Sequence, residues 1–155
     1  MPYYYSVASQ TNTNGSANTD TFLMNVHGAA AGQRAYIQKL QAGSYATPAD
    51  NAIRLRLQRT TTLLTAGTAY TPTPLVADAP AASSVTTITP TAGVLATNPT
   101  VQLAFNQRGT GLWAAFTVDE ALGIIGATAS NSEVVLDSQS TGTSIPVNYK
   151  VIFSE

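Results

Sequence analysis

Residues 51–64, NAIRLRLQRTTTLL, open with an unbroken alternation: Ile53, Leu55 and Leu57 fall on one phase, Arg54, Arg56 and Gln58 on the other. Successive side chains of an extended chain point to opposite faces. The pattern therefore predicts a strand with one apolar and one polar face, and leaves no room for a helix. Thr47 and Asp50 mimic a helix capping box, but the alternation starting at Ile53 makes residues 47–52 a turn. Pro48 fixes that turn, and Asp50 or Asn51 can bond the local backbone. With the leucines facing a core, Arg54 and Arg56 stand side by side on the opposite face. There they serve either as a solvated surface whose loose ion pairs contribute little, or as anchors for a partner. Arg59 falls on the apolar phase. It must emerge at the strand's end or find a carboxylate or backbone carbonyls, because an unpaired buried guanidinium is too costly. Gln58, Arg59 and Thr60 close this strand as Gln107, Arg108 and Thr110 close a later one. This recurrence predicts that Arg59 and Arg108 share one rim of the fold and form its main electrostatic handles.

The rest of the chain repeats the signal in short runs bounded by Gly, Pro, Asn and Asp. TFLMNVH (21–27) alternates Phe22, Met24 and Val26 against Leu23, Asn25 and His27. RAYIQKLQAG (34–43) also fits a helical stripe through Tyr36, Ile37 and Leu40, but it is short and ends at Gly43, so a strand is predicted. TVQLAFNQR (100–108) and GLWAAFTV (111–118), joined by the short RGTG connection, predict a hairpin. SEVVLD (132–137) and IPVNYKVIF (145–153) supply two more strands, the last with Val147, Tyr149, Val151 and Phe153 in phase. Five of the eight prolines lie between residues 71 and 99, a density no central strand tolerates. That segment is expected to be an extended surface excursion and a contact arm, with SSVTTIT (83–89) as one edge strand. The expected fold is all-β: an antiparallel β-sandwich, jelly-roll-like or another Greek key, formed by one domain over residues 21–155.

Residues 1–20 are expected to form a separate N-terminal arm. SVASQTNTNGSANTDT (6–21) has almost no apolar side chains, so it should stay disordered alone and be ordered by a neighbouring subunit. Tyr3, Tyr4 and Tyr5 are too many consecutive aromatics to leave in water. They pack either on their own sheet or between subunits.

The composition argues against several classes of function. Charged residues make up 10% of the 155, against about 25% in ordinary soluble domains, so the polar surface is largely neutral. A surface that repels its own copies so weakly suits a protein packed in an assembly. A formal net charge of -1 provides no field to recruit nucleic acid or an anionic bilayer. No run approaches about 18 apolar residues, and MPYYYSVASQ lacks the basic and apolar regions of a signal peptide. The absence of cysteine excludes disulfides, thiolate metal sites and a cysteine nucleophile. His27, the single histidine, sits at a strand end with no motif around it. The eight carboxylates are scattered, and the adjacent pair Asp119 and Glu120 points to opposite faces. NTNGSANTD (12–20) resembles a calcium loop but lacks its spaced carboxylates and terminal Glu. No catalytic residue, cofactor or metal is expected.

Three segments, TPADNAIRLRLQRTT (47–61), GTAYTPTPLVADAPAA (67–82) and LAFNQRGTGLWAA (103–115), together resemble a family of small structural proteins encoded in tailed-bacteriophage genomes. The shared features are a T-P-A-D-N-A turn, a Q-R-x-T strand end, a T-P-x-P-L segment and an N-Q-R strand end followed by W. None is chemically diagnostic by itself. The resemblance covers roughly residues 20–118, extends more weakly to the C-terminal strand, and departs from the family pattern over residues 117–135. It implies a virion component, above all a capsid decoration or cement protein on the capsid exterior, synthesised in the host cytoplasm. Such proteins are commonly trimeric, so the expected partners are the major capsid protein and further copies of the chain in a homotrimer. Nucleic acid and membrane are not expected partners. The interface residues expected are Tyr3, Tyr4, Tyr5, Arg54, Arg56, Arg59 and Arg108. A tail or tube component is the structural alternative. A carbohydrate-binding module is a third reading, poorly supplied because Trp113, the only tryptophan, falls in a strand expected to be in the core.

Overall fold

The structure, a computed structural model, describes residues 2–30, 33–45, 47, 49–64, 66–91, 94–99, 101–108, 112–116, 122–125 and 133–155. Among these residues the chain forms two antiparallel sheets packed as a β-sandwich, with no helix. The front sheet contains β1 (Tyr4–Asn12), β3 (Arg34–Gly43), β6 (Thr73–Pro74), β10 (Leu112–Ala115), β11 (Leu122–Ile125) and β13 (Pro146–Ser154). The back sheet contains β2 (Thr21–His27), β4 (Ala52–Thr62), β5 (Thr68–Tyr70), β7 (Val85–Ile88), β8 (Val94–Leu95), β9 (Val101–Asn106) and β12 (Val134–Ser140). The front order is β3-β13-β1-β6, with β10 and β11 end to end along the free edge of β3. The back order is β5-β7-β2-β12-β4, with β8 and β9 following one another along β4.

The alternation seen in the sequence determines what fills the space between the sheets. From the front come Tyr5, Val7, Ile37, Leu40, Val147, Tyr149, Val151 and Phe153; from the back, Leu23, Met24, Val26, Ile53, Leu55, Leu57, Val134 and Leu136, all buried. Tyr5 stacks on Phe153 with ring centroids 5.6 Å apart. Each such side chain contributes about 1.5–3 kcal/mol by leaving water.

The expected N-terminal arm is corrected by β1. Tyr4–Asn12 pairs with β13 along its whole length, from Tyr4 opposite Ser154 to Asn12 opposite Pro146. Backbone bonds from Tyr3 N to Glu155 O (3.1 Å) and from Glu155 N to Tyr3 O (3.0 Å) prolong the ladder. The segment is poor in apolar residues because only Tyr5 and Val7 need to reach the core. Its order comes from backbone bonds to an apolar neighbour, so its composition underestimates it.

The expected hairpin of residues 100–118 is a second correction. β9 pairs with β4 in the back sheet and β10 with β3 in the front sheet, so the chain crosses between sheets instead of folding back on itself. Two alternating strands separated by a short turn satisfy one core equally well from the same sheet or from opposite sheets. The turn residues alone do not distinguish the two. The proline-rich segment is likewise more integrated than a surface excursion. It contributes β6 to the front sheet and β7 and β8 to the back. The strand expected within 83–89 is β7, but β5 lies outside it, so β7 is not the edge.

One hydrogen bond ties the two sheets through the core. Between Leu136 and Asp137 the β2–β12 register slips, so that Met24 and Phe22 are the successive partners and Leu23 bulges. The Leu23 carbonyl accepts from the Tyr149 hydroxyl at 2.6 Å and from Thr89 N at 2.9 Å. Burial pushes the Tyr149 phenol up to about 12. Replacing Tyr149 with Phe removes this bond but leaves the carbonyl its Thr89 partner. The expected loss is therefore about 1–2 kcal/mol of unfolding free energy, read by urea denaturation at unchanged m-value.

Candidate functional site

Two outer faces are available for function, and they are built differently. On the back sheet the polar phase of β4 meets that of β12: Arg54 lies opposite Gln139, Arg56 opposite Asp137, and Gln58 opposite Val135. Arg56 is the centre of this face. Its Nε and Nη2 donate to Asp137 Oδ2 at 3.1 and 2.5 Å, and Nη2 also donates to Asp20 Oδ1 at 2.5 Å. The Asp137 side chain is 0% exposed, that of Arg56 13% and that of Asp20 33%, so a nearly dry ion pair is joined by a third, partly solvated carboxylate. Asp20 arrives on the β1–β2 connection, which is fastened over the sheet. Gln139 Nε2 donates to Asn18 O (3.0 Å) and Asp20 Oδ1 (2.5 Å), Ser140 Oγ to Asn14 O (2.8 Å), and Asn18 N to Ser140 O (3.0 Å).

Burial pushes the Asp137 carboxyl up to about 6; Arg56 pulls it down only in part, and Asp20 adds to the rise. Burial alone would lower the Arg56 guanidinium, but the bonds and charges of Asp137 and Asp20 outweigh it and hold the group above its ordinary value. At neutral pH Asp137 and Arg56 are therefore both charged. Asp20 and Asp137 are two carboxylates gathered from distant parts of the chain, but the burial of Asp137 keeps any substrate from reaching the pair.

A second cluster seals the same face further along. Glu133, 0% exposed, accepts from Thr60 Oγ1 (2.8 Å), Leu64 N (2.9 Å) and Asn25 Nδ2, while Asn25 Oδ1 accepts from Thr87 N (3.0 Å). The carboxylate links β2 and β4 to the segment leaving β4 and leaves little polar capacity for a ligand.

The front sheet's outer face is open. The register arranges it in rows: Tyr4, Ser154 and Tyr36; then Ser6, Ile152 and Lys39; then Ala8, Lys150 and Gln41. Tyr4 and Tyr36 are 39% and 37% exposed, and Leu75, whose N–H bonds Tyr4 O, is 48% exposed. A shallow depression of ≈ 340 Å³ lies among Tyr4, Gln38, Lys39, Leu75, Phe116 and Ile152.

The expected interface residues are dispersed over this framework. Tyr5 is core, with its hydroxyl on Pro80 O at 3.0 Å, whereas Tyr3 and Tyr4 are exposed. Arg54 is exposed and donates to Gln139 Oε1 at 3.1 Å, and Arg56 is committed to its two carboxylates. Arg59 and Arg108 do not share a rim. β4 and β9 are antiparallel, so the residue after Asn106 returns to Asn51 while Arg59 lies at the other end of β4, about 25 Å away. The quoted turn and strand-end motifs instead meet each other. Asn106 Nδ2 donates to Asp50 Oδ1 (2.6 Å), Asn51 Nδ2 to Gln107 Oε1 (2.9 Å), and Gln107 Nε2 to Thr47 O (3.1 Å). Pro48, Thr110, Asp119 and Glu120 lie outside the described residues, and Trp113 is on edge strand β10, opposite Gln41 in register. His27 ends β2, its Nδ1 3.0 Å from Gly28 O. In the loop that resembles a calcium site, Asp20 is occupied by Arg56 and Asn14 Oδ1 by Ser16 N (2.9 Å).

Sequence reasoning missed Asp137, although a carboxylate inside the run VVLDSQS calls for a cation on a neighbouring strand. It also missed Tyr36 and Leu75, for which exposure was the only signal. No protein-family model matches the chain, and no curated protein does.

Two outcomes test the triad. Replacing Arg56 with Ala strands the buried Asp137 carboxylate and is expected to cost about 3–5 kcal/mol by chemical denaturation, whereas the same change at exposed Arg54 costs under about 1 kcal/mol. Asp137, followed by carboxyl carbon NMR, should titrate near 6. Its folded value lies above its unfolded one. Its contribution to stability is therefore fully present below about pH 4 and is lost as pH rises through 6.

Proposed function

We propose that this chain is a non-enzymatic bacteriophage virion structural protein, a capsid decoration protein that stabilises the expanded shell by binding it from outside. Its partners on this reading are the major capsid protein and further copies of itself in a trimer. The observation that carries the proposal is the contrast between the faces. The back face is covered along β12 by the chain's own connections, while the front face offers Tyr4, Tyr36 and Leu75 to solvent. Tyrosines and aliphatics with few charges are what the centres of protein interfaces are made of. The resemblance of residues 47–61, 67–82 and 103–115 to tailed-phage structural proteins supports the same reading. Those segments form a hydrogen-bonded turn, strand ends and strand β6 that build the scaffold.

The mechanism is linkage. A protein that binds the expanded shell and not its precursor adds its binding free energy to the expanded state. With β1 committed to its own sheet, the contact area comes from the front face and not from a free arm. Light scattering on purified protein should give a trimer, and mixing with decoration-free expanded shells should deplete it from solution and raise the shells' melting temperature. Rings larger than trimers, or tubes, would move the assignment to a tail component. Failure to bind shells would end the decoration role.

A further inference from the structure

We infer that the front sheet's outer face takes an extended acidic segment of a partner protein, seating one large apolar side chain between Tyr4, Leu75 and Ile152 with carboxylates on either side. The inference rests on the binding-protein reading above and specifies the chemistry of the partner.

Shape is the first argument. Tyr4 and Tyr36 stand in one row two strand spacings apart, about 10 Å, with only the small Ser154 between them. Ser154 is buried, and its hydroxyl accepts from Gln38 Nε2 at 3.0 Å, so the floor of this trough is fixed. The neighbouring depression of ≈ 340 Å³ is at the small end for a ligand pocket, which suits a side chain more than a whole small molecule. A trough between two rings beside a single apolar depression fits an extended chain.

Charge is the second argument, and it selects the occupant. The chain has only two lysines, Lys39 and Lys150, and both lie in the rows of this face; Arg34 is exposed on the same phase of β3 as Tyr36. None of the six front strands contains Asp or Glu. A second copy docking face to face would set cations against cations, whereas a carboxylate-bearing segment is complementary.

The test uses the full chain, 15N-labelled, with three probes: the blocked peptide Glu-Glu-Phe-Glu-Glu, its counterpart Lys-Lys-Phe-Lys-Lys, and cellohexaose. The acidic peptide should shift the amides of Tyr4, Tyr36, Leu75 and Ile152 and bind at least tenfold more tightly than the basic one. Lys150→Glu should weaken the acidic peptide tenfold or more and strengthen the basic one. Lys39→Glu should do the same, with preserved amide dispersion showing that each variant folds. Equal affinity for both peptides, no binding, shifts confined to the back sheet, or cellohexaose alone occupying the face would each overturn the inference. So would peptide binding that competes with self-association seen by light scattering. The two readings fail separately. Peptide docking without shell binding removes the decoration role and leaves this surface; shells bound equally by Lys150→Glu and by the unaltered chain remove this surface and leave the role.

Discussion

The register of β13 is the constraint from which most of the molecule follows. Val147, Tyr149, Val151 and Phe153 are all at most 3% exposed, and they leave Asn148, Lys150, Ile152 and Ser154 no choice but the outer face. A slip of one residue would bury Lys150 and expose Phe153, a loss of several large burial terms together with the cost of an unpaired interior charge. The same register orders β1 on one side and β3 on the other, because each finds its bonds along β13. Core composition and the layout of the front face are thus one decision made by one strand.

The back sheet reaches its order by a different balance. A buried Arg with two carboxylates adds little net stability over apolar packing, since desolvation offsets most of the attraction. What it contributes is specificity. Gln139 and Arg56 both reach Asp20, and this fixes how the β1–β2 connection lies across the sheet. Glu133 performs the same task for the segment after β4, using Leu64 N as its third partner. A chain with 10% charged residues spends several of them inside, which leaves its outside still more neutral.

Period-two patterning made much of this legible. The strands expected at 21–27 and 34–43 have those bounds, and Ile53, Leu55 and Leu57 face the core as their phase requires. Pairing was harder to read. β1 is too poor in apolar residues to order in isolation, and its order is supplied by a strand more than a hundred residues later. The hairpin failed because a local turn signal does not encode which sheet each arm joins. The shared Q-R strand ends suggest one rim for Arg59 and Arg108, but antiparallel neighbours end at opposite ends. Arg56 was expected at the surface because its partners, Asp20 and Asp137, lie 36 and 81 residues away along the chain. Side-chain alternation is a local property, whereas charge pairing and sheet membership are set by contacts between distant residues.

The asymmetry between the faces also bears on how such a chain stays dispersed. An open sheet face with exposed Tyr and Leu invites stacking of copies, and a surface of low charge does little to prevent it. Lysines on the two strands that carry the face, β3 and β13, resist that stacking because like charges would meet where this face is set against its own copy. The same two residues become favourable when the incoming surface is acidic. One pair of side chains can therefore discourage the wrong partner and favour the right one, which is how a small number of charges on a neutral surface acquires specificity.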